Sequence, residues 1–259
     1  MQMRLNQYLA KSGLGSRRTV ETHIRRGRVT INGRPVTELA VTVNPARDRV
    51  EVDGLPVRPS PTPIYLIMNK PRGYDVTRGG RQHHRRAYDL LPPHTHPSVQ
   101  AAGRLDRNST GLLLFTNDGQ VAYRLTHPRF GCRKVYQVLV EGETQSRTRA
   151  RFAEGVELED GPARAVAVHH RPTDQPGRDG LEITMEEGRK HIVRRMCEAL
   201  GHPVLELHRT RLGPLALQDL KRGRTRPLTP REVRRLKQSL GLQPAETPGS
   251  PRPKRRRRQ

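Results

Sequence analysis

The sequence predicts an α+β protein in two units, and three observations predict it. The first 58 residues read as two short helices followed by short strands with two-residue turns. Four prolines then crowd positions 56 to 63. Beyond them, strand patterns of period two mix with amphipathic helical stretches to about residue 240. The 259 residues suffice for one small and one medium-sized domain, each with a core. Hydrophobic residues make up 32% and aromatics 3%, with no Trp, so those cores must rest on Leu, Val and Ile.

In the N-terminal unit, RLNQYLAKSG places Leu5, Tyr8 and Leu9 on one helical face and breaks at Gly13. Ser16 offers an N-cap before RRTVETHIRRG, where Val20 and Ile24 share a face and Gly27 closes the helix. RVTINGRPV then alternates into an Asn32-Gly33 turn, and DRVEVDGLPV repeats the pattern around Asp53-Gly54. Two helices packed on a small twisted sheet are expected. The boundaries read from this pattern are a first domain at 1–58, a Pro-rich linker at 59–63, a second domain at 64–240 and a tail at 241–259.

In the second unit, IYLIMNKPRGYDVT reads as an apolar strand ending in a Pro-Gly loop. GRLDRNSTGLLLFTNDGQVAYRLTHP gives a loop, the buried strand LLLF, a turn at Asn117-Asp118-Gly119 and a short helix. KVYQVLVEG alternates, with Tyr136, Val138 and Val140 on one face. GVELEDGPARAVAVHH is expected as a hairpin, LEITMEE as a strand, and RKHIVRRMCEALG as an amphipathic helix capped by Gly201. VLELHRTRLGPLAL returns to strand. TPREVRRLKQSL has Thr229 as N-cap and Pro230 in the first turn of a final helix. QPAETPGSPRPKRRRRQ lacks periodicity and ends in cations, so a disordered polyanion-binding tail is expected.

Charge narrows the partners. Lys and Arg number 49 against 25 Asp and Glu, a net charge of +24. Such an excess attracts polyanions and lets basic side chains displace counterions from phosphates. Nucleic acid is the expected partner, and an anionic membrane surface is the rival. No apolar run approaches the roughly 20 residues needed to span a bilayer. MQMRLNQYLAKSG lacks a signal peptide's apolar core, so a cytoplasmic protein is expected. Cys132 and Cys197 have no paired-ligand spacing and read as buried reduced thiols. His83-His84 and His169-His170 are adjacent pairs whose side chains diverge, so no metal is expected.

Asp106 stands between Arg104 and Arg107 in a loop just before a buried strand. Its plainest reading is a surface salt bridge or a loop cap. A resemblance goes further. RLNQYLAKSGLGSRRTVETHIRRGRVTINGRPV resembles the S-four-like RNA-binding domain in the order of helix, SRR, helix, strand and NG turn. G-R-L-D followed by S-T-G-L-L-L-F-T-N-D-G is similar to the signature of pseudouridine synthases acting on ribosomal RNA. The branch concerned has A-type members for small-subunit RNA and B-type members for large-subunit RNA. MNKPRGYDVT ahead of that motif, and THPRFGCRKVYQV, EEGRKHIVRRM and GHPVLELHRTRLGPLAL after it, match in the expected order. The similarity runs from residue 3 to about residue 238.

The resemblance implies a catalytic domain with a long, mixed, mainly antiparallel sheet flanked by helices and a cleft across its middle. It implies that Asp106 is the catalytic carboxylate, that Tyr136 stacks on the target base, and that Arg194 pairs with Asp106. It also implies an RNA-facing basic surface on Arg17, Arg18, Arg25, Arg26 and Arg28. Lys70 and Arg72 are candidate phosphate contacts at the rim, and Arg104 or Leu105 is a candidate to fill the space an extruded uridine vacates. Ile192 departs from the family pattern, where Gln or Glu is common.

Isomerising uridine to pseudouridine breaks the C–N glycosidic bond, turns the base and closes a C–C bond at base carbon 5. Nothing is oxidised and no group is imported, so no cofactor is expected. An ionised carboxylate can attack the anomeric carbon, attack base carbon 6, or remove a sugar proton. The expected partner is ribosomal RNA or a ribosomal assembly intermediate, with the large-subunit RNA favoured by the basic tail. A monomer is expected. The alternatives are a catalytically silent ribosome-assembly factor on the same fold, or an enzyme acting on small-subunit RNA.

Overall fold

The computed structural model describes the chain except residues 1, 16, 60–61, 80–83, 94, 96–98 and 243–259, and the side chains of Arg17 and Arg18. The expected Ser16 cap, His83, part of the expected linker and nearly all of the expected tail lie outside the described residues.

Strand β1 (Met3–Arg4) runs into helix α1 (Leu5–Lys11), and helix α2 (Arg17–Arg25) follows. Leu5, Tyr8 and Leu9 of α1 and Val20 and Ile24 of α2 are all buried, as the helical spacing requires. Strands β2 (Val29–Ile31) and β3 (Arg34–Val36) form a hairpin. β4 (Thr42–Val43) pairs with β1. β5 (Val50–Val52) and β6 (Leu55–Pro56) form a second hairpin, and β5 pairs with β2. Both hairpin turns carry two left-handed residues: Asn32 (φ 51°) with Gly33 (φ 78°), and Asp53 (φ 52°) with Gly54 (φ 78°). That conformation suits the right-handed twist of the strands, and Asn-Gly and Asp-Gly are the pairs that tolerate it. The core of this region is one apolar cluster built on Leu5, Tyr8, Leu9, Val20, Ile24, Val29, Val43, Val50 and Val52.

The remaining strands share one nine-stranded sheet. They are β7 (Tyr65–Lys70), β8 (Gln100–Ala101), β9 (Thr110–Thr116), β10 (Lys134–Glu141), β11 (Ala167–Arg171), β12 (Arg178–Met185), β13 (Val204–Leu212), β14 (Leu215–Ala216) and β15 (Thr225–Pro227). The main order is β11-β12-β10-β13-β9-β7-β15, with β8 on β9 and β14 on β13. Among the described residues, every strand pairing in it is antiparallel except β13 with β9. The sheet is therefore mixed and mainly antiparallel, with its parallel seam in the middle.

Helices α3 (Gly119–Thr126) and α6 (Pro230–Ser239) contribute to the apolar cluster on one side of the sheet. Helices α4 (Ser146–Glu154) and α5 (Ile192–Ala199) contribute to the cluster on the other. β9 shows why its sequence reads Leu-Leu-Leu-Phe without alternation. Leu112 and Leu114 join the α3/α6 cluster, Leu113 and Phe115 join the α4/α5 cluster, and all four are fully buried. Each such burial stabilises the fold by roughly 1.5–3 kcal/mol. β10 alternates instead, burying Tyr136, Val138 and Val140 against α5 and leaving Val135, Gln137 and Leu139 half-buried.

Asp118 caps α3 by accepting from the N–H groups of Gln120 and Val121. Thr229 caps α6 in a reciprocal box with Glu232, and Pro230 opens the helix as the Thr-Pro pair implies. The stretch 155–170 departs from the expected hairpin. It keeps one bridge, Val156 with Ala163, and its last residues leave to form β11, which pairs with β12. The expected 189–201 helix starts three residues late, at Ile192, because His191 takes a left-handed backbone (φ 55°). Among the described residues no helix is long and apolar enough to cross a membrane.

Candidate active site

The connection from β8 to β9 carries Arg104, Leu105, Asp106 and Arg107 along the central seam of the sheet. A turn closes it, with the Ser109 N–H donating to the Asp106 carbonyl at 3.0 Å. Gly111, at the start of β9, lets that strand come against β13. A Cβ there would lie 2.3 Å from the Arg209 carbonyl oxygen and 2.6 Å from its nitrogen. Thr110 is bonded across the same seam, its Oγ1 lying 2.8 Å from Nδ1 of His208.

Lys70 fastens the loop from below. It ends β7, is fully buried, and donates from Nζ to the carbonyls of Ser109 (2.7 Å), Pro71 (3.0 Å) and Arg107 (3.3 Å). The Gly73 N–H also donates to the Arg107 carbonyl at 2.8 Å. The NKPRG segment therefore buttresses the Asp106 loop, and Lys70 is not the rim phosphate contact expected of it: it has no surface to offer. Arg72 of the same segment is exposed.

Burial holds the Lys70 ammonium down to a pKa of about 8, while the carboxylates of Asp75 and Asp106 push the other way. Between that value and the ordinary lysine value near 10.4, the unfolded chain binds the proton that the folded chain has released. Stability linked to Lys70 therefore rises with pH across this window. The unfolding free energy of the wild type, minus that of Lys70→Met, is expected to grow by on the order of 2–3 kcal/mol between pH 8 and 10.4. Urea titrations at several pH values check this, and parallel pH curves would refute it.

Asp106 opens onto a cleft of about 270 Å³ lined from both apolar clusters. Among the described residues Asp106 is its one carboxylate, facing Arg104, Lys134, Arg189, Lys190, His191 and Arg209. Tyr136, 9% exposed, lines it and sits opposite Arg209 across the β10–β13 pairing. His191 Nε2 lies 3.2 Å from Asp106 Oδ1. Lys134 and Arg209 are buried cations. Lys134 Nζ donates to the carbonyls of Cys132 (2.8 Å) and Glu186 (2.6 Å), and burial lowers its pKa. Arg209 donates from Nε to the Leu112 carbonyl at 2.8 Å, which leaves its Nη2 buried without a partner. Ser109 Oγ, also in the lining, is a second buried polar atom without a partner. Orphaned buried groups of this kind cost free energy and mark strained or functional places.

The expected Asp106–Arg194 pair is absent. Arg194 donates from Nη1 to the Val204 carbonyl at 3.0 Å, on the side of α5 that meets the start of β13. The late start of α5 is the cause. Arg189 and Arg195 both clasp Asp160, the turn at His191 follows, and His191, Ile192 and Val193 face the cleft while Arg194 is carried past it. Ile192, which departs from the pattern the resemblance implies, is a buried part of the cleft wall. Leu105 is buried in the α4/α5 cluster and so is packed rather than available to be inserted, whereas Arg104 is exposed at the cleft.

On α2 and just after it, Arg25 and Arg26 are exposed, and Arg28 pairs with Asp53 across the turn (Nε–Oδ1 2.8 Å). Both cysteines are buried free thiols. No group of three or more His, Cys, Asp or Glu side chains suited to a metal ion occurs among the described residues.

Sequence reasoning passed over His191, Lys134, Ser109 and Arg209. For two of them a signal existed. Lys134 lies two residues before Tyr136 and so on the same strand face, and Arg209 follows Leu207 on the inward face of β13. A cation on a buried face needs a reason.

A cleft with one carboxylate among its described residues and many cations, on a chain of net charge +24, suits an anionic polymer. The chain belongs to the RNA pseudouridylate synthase family, whose profile matches residues 64–199, and the S4 domain profile matches residues 3–50. It is 42% identical over 243 residues to an uncharacterized RNA pseudouridine synthase of Aquifex aeolicus, covering 93% of this chain and 96% of that one. It is 38% identical to the ribosomal small subunit pseudouridine synthase A of Yersinia pestis, covering 89% and 97%. It is 37% identical to the ribosomal large subunit pseudouridine synthase B of Bacillus subtilis, covering 90% and 95%. A solved pseudouridylate synthase superposes with a TM-score of 0.64 at 30% identity, covering 90% of this chain and 99% of that one. The protein is accordingly a pseudouridine synthase with an N-terminal S4 RNA-binding domain.

Proposed function

We propose that this enzyme isomerises specific uridines of large-subunit ribosomal RNA, with Asp106 as the catalytic carboxylate and no cofactor. The observation that carries the proposal is the cleft itself: one carboxylate, a buried tyrosine and a ring of cations at the central seam. An extruded uridine stacks on Tyr136, whose ring is apolar and whose hydroxyl can reach polar atoms of the base. Asp106 supplies the electron pair that opens the path from the N-linked to the C-linked base. His191 orients the carboxylate in place of Arg194. Arg209 and Lys134 hold positive potential over the base as its bond to the sugar breaks and negative charge develops on it, a low-dielectric arrangement that needs no reorganisation. Arg104 fills the gap in the stack.

Arg17, Arg18, Arg25, Arg26 and Arg72 are proposed to grip phosphates. Contacts of that kind position an RNA without reading its sequence. Residues 1–58 would act as the gripping domain, 64–240 as the catalytic one, and 241–259 as a basic tether. The enzyme would work as a monomer in the cytoplasm, on free RNA or on a ribosomal assembly intermediate. The relatives of the two types are nearly equal in identity, 38% and 37%, so what supports a large-subunit target is the basic tail.

The test is to incubate the protein with each ribosomal RNA separately and to map new pseudouridines. Modification confined to large-subunit RNA is the expected result. Modification confined to small-subunit RNA would move the protein to the A type.

A further inference from the structure

We propose that the exposed aromatic–arginine cluster formed by Tyr123, His127, Arg129 and Phe130 is a stacking platform for an unpaired nucleobase next to the target uridine. The proposal rests on the reading of this chain as an enzyme acting on RNA, and it adds a second place where that RNA is held.

Aromatic side chains are scarce here: six tyrosines, three phenylalanines and no tryptophan. Most lie in cores, whereas Tyr123 is 42% exposed and Phe130 is only part-buried. The two ring centroids lie 5.6 Å apart with their planes at 79°. His127 completes the group, 5.1 Å from Tyr123 and 6.1 Å from Phe130. The Arg129 guanidinium lies 4.5 Å from the centre of the Phe130 ring and 5.2 Å from that of Tyr123. Among the described residues Arg129 makes no ion pair, and its side chain is exposed.

A solvated arginine with no carboxylate to serve gains little from lying over two rings at the surface, about 0.5–1 kcal/mol. A planar cation stacked on aromatics is, however, a preformed seat for a nucleobase, which has a π-face and stacks on guanidinium and aromatic planes alike. The local sequence holds the group rigid. The His127 side chain caps the short turn Pro128–Phe130, and Gly131 closes that turn with a left-handed backbone (φ 55°).

Position points the same way. Leu125 and Thr126, which join Tyr123 to His127, line the cleft that holds Asp106. The platform therefore borders the cleft mouth. A strand whose target base is turned into the cleft must carry its neighbouring nucleotides across that border. Those neighbours lose their own stacking partner when the target leaves, and the platform replaces it. Stacking of this kind tolerates any base, so it adds affinity without dictating sequence.

The experiment uses the full chain and a short oligouridylate containing one fluorescent adenine analogue. The variants are Tyr123→Ala, Phe130→Ala, Arg129→Gln, and the conservative pair Tyr123→Phe and Phe130→Tyr. Thermal melting first establishes that each is folded. The alanine variants are expected to bind roughly ten- to a hundredfold more weakly and to lose the stacking quench of the analogue. The salt slope should stay at the wild-type value, because no phosphate contact is removed. The conservative variants should restore affinity. Wild-type affinity and quench in both alanine variants would overturn the platform alone. Weakening accompanied by a reduced salt slope would overturn it too, in favour of a plain phosphate contact. If wild type fails to bind the oligomer at all, the platform falls, while pseudouridine mapping on ribosomal RNA separately decides the reading it rests on.

Discussion

Asp106→Asn is expected to lower the rate of pseudouridine formation by at least about a thousandfold while leaving RNA affinity within a few-fold of wild type. The amide is nearly isosteric with the carboxylate and can keep a hydrogen bond to His191, which lies 3.2 Å from Oδ1. It cannot supply an electron pair to the sugar or the base. The Asp106 side chain is itself partly exposed at the cleft mouth, so an amide of the same shape fits there without a void or a clash. Single-turnover rates and equilibrium binding with the same RNA separate the two effects. A variant that bound poorly but turned over normally when saturated would mean that Asp106 holds RNA rather than transforms it.

Gly111→Ala is expected to cost roughly 3–5 kcal/mol of stability. Two costs combine. The backbone of Gly111 has φ +106°, which L side chains rarely adopt, and the new Cβ would meet the Arg209 backbone at 2.3, 2.6 and 2.9 Å. β13 must move, and β13 carries Arg209 opposite Tyr136. Molecules that still fold would have the Asp106 loop and the cleft wall misaligned, and a shift near 1 Å can reduce turnover about a hundredfold. Gly119→Ala is the control, since nothing lies within 4 Å of its added Cβ. It should stay within roughly 0.5 kcal/mol of wild type in urea unfolding. Equal behaviour of the two variants would mean that the β9–β13 seam is not a rigid frame.

What the sequence disclosed follows the range of the interactions involved. The Asn32-Gly33 and Asp53-Gly54 turns were legible because left-handed backbone is written in residue type at two adjacent positions. The Thr229–Glu232 box and the buried face of β10 were legible for the same reason: each is decided within a few residues. Lys70 was misread as a rim cation because only the folded chain brings the Ser109 and Arg107 carbonyls, nearly forty residues away, onto its ammonium. The Arg194–Asp106 pairing came from motif similarity, and a motif does not show that the turn at His191 delays α5 and leaves Arg194 on the Val204 carbonyl, with Arg189 and Arg195 on Asp160. The Asp106 and Tyr136 positions came from motif similarity, and composition would have left Asp106 as an ordinary salt bridge. The partnerless Nη2 of Arg209 had no sequence signature beyond a cation on an inward strand position.

Whether the Asp106 cleft converts uridine to pseudouridine in ribosomal RNA is read out by mapping. Large-subunit RNA is incubated with wild-type protein and, in parallel, with Asp106→Asn at matched folded concentration. A new pseudouridine is expected with wild type and none with the variant, both proteins binding the RNA. Bound RNA left unmodified by wild type, on free RNA and on assembly intermediates of both subunits, would contradict the enzyme reading and favour a ribosome-assembly factor. Modification by Asp106→Asn at the wild-type rate would contradict the role given to the carboxylate.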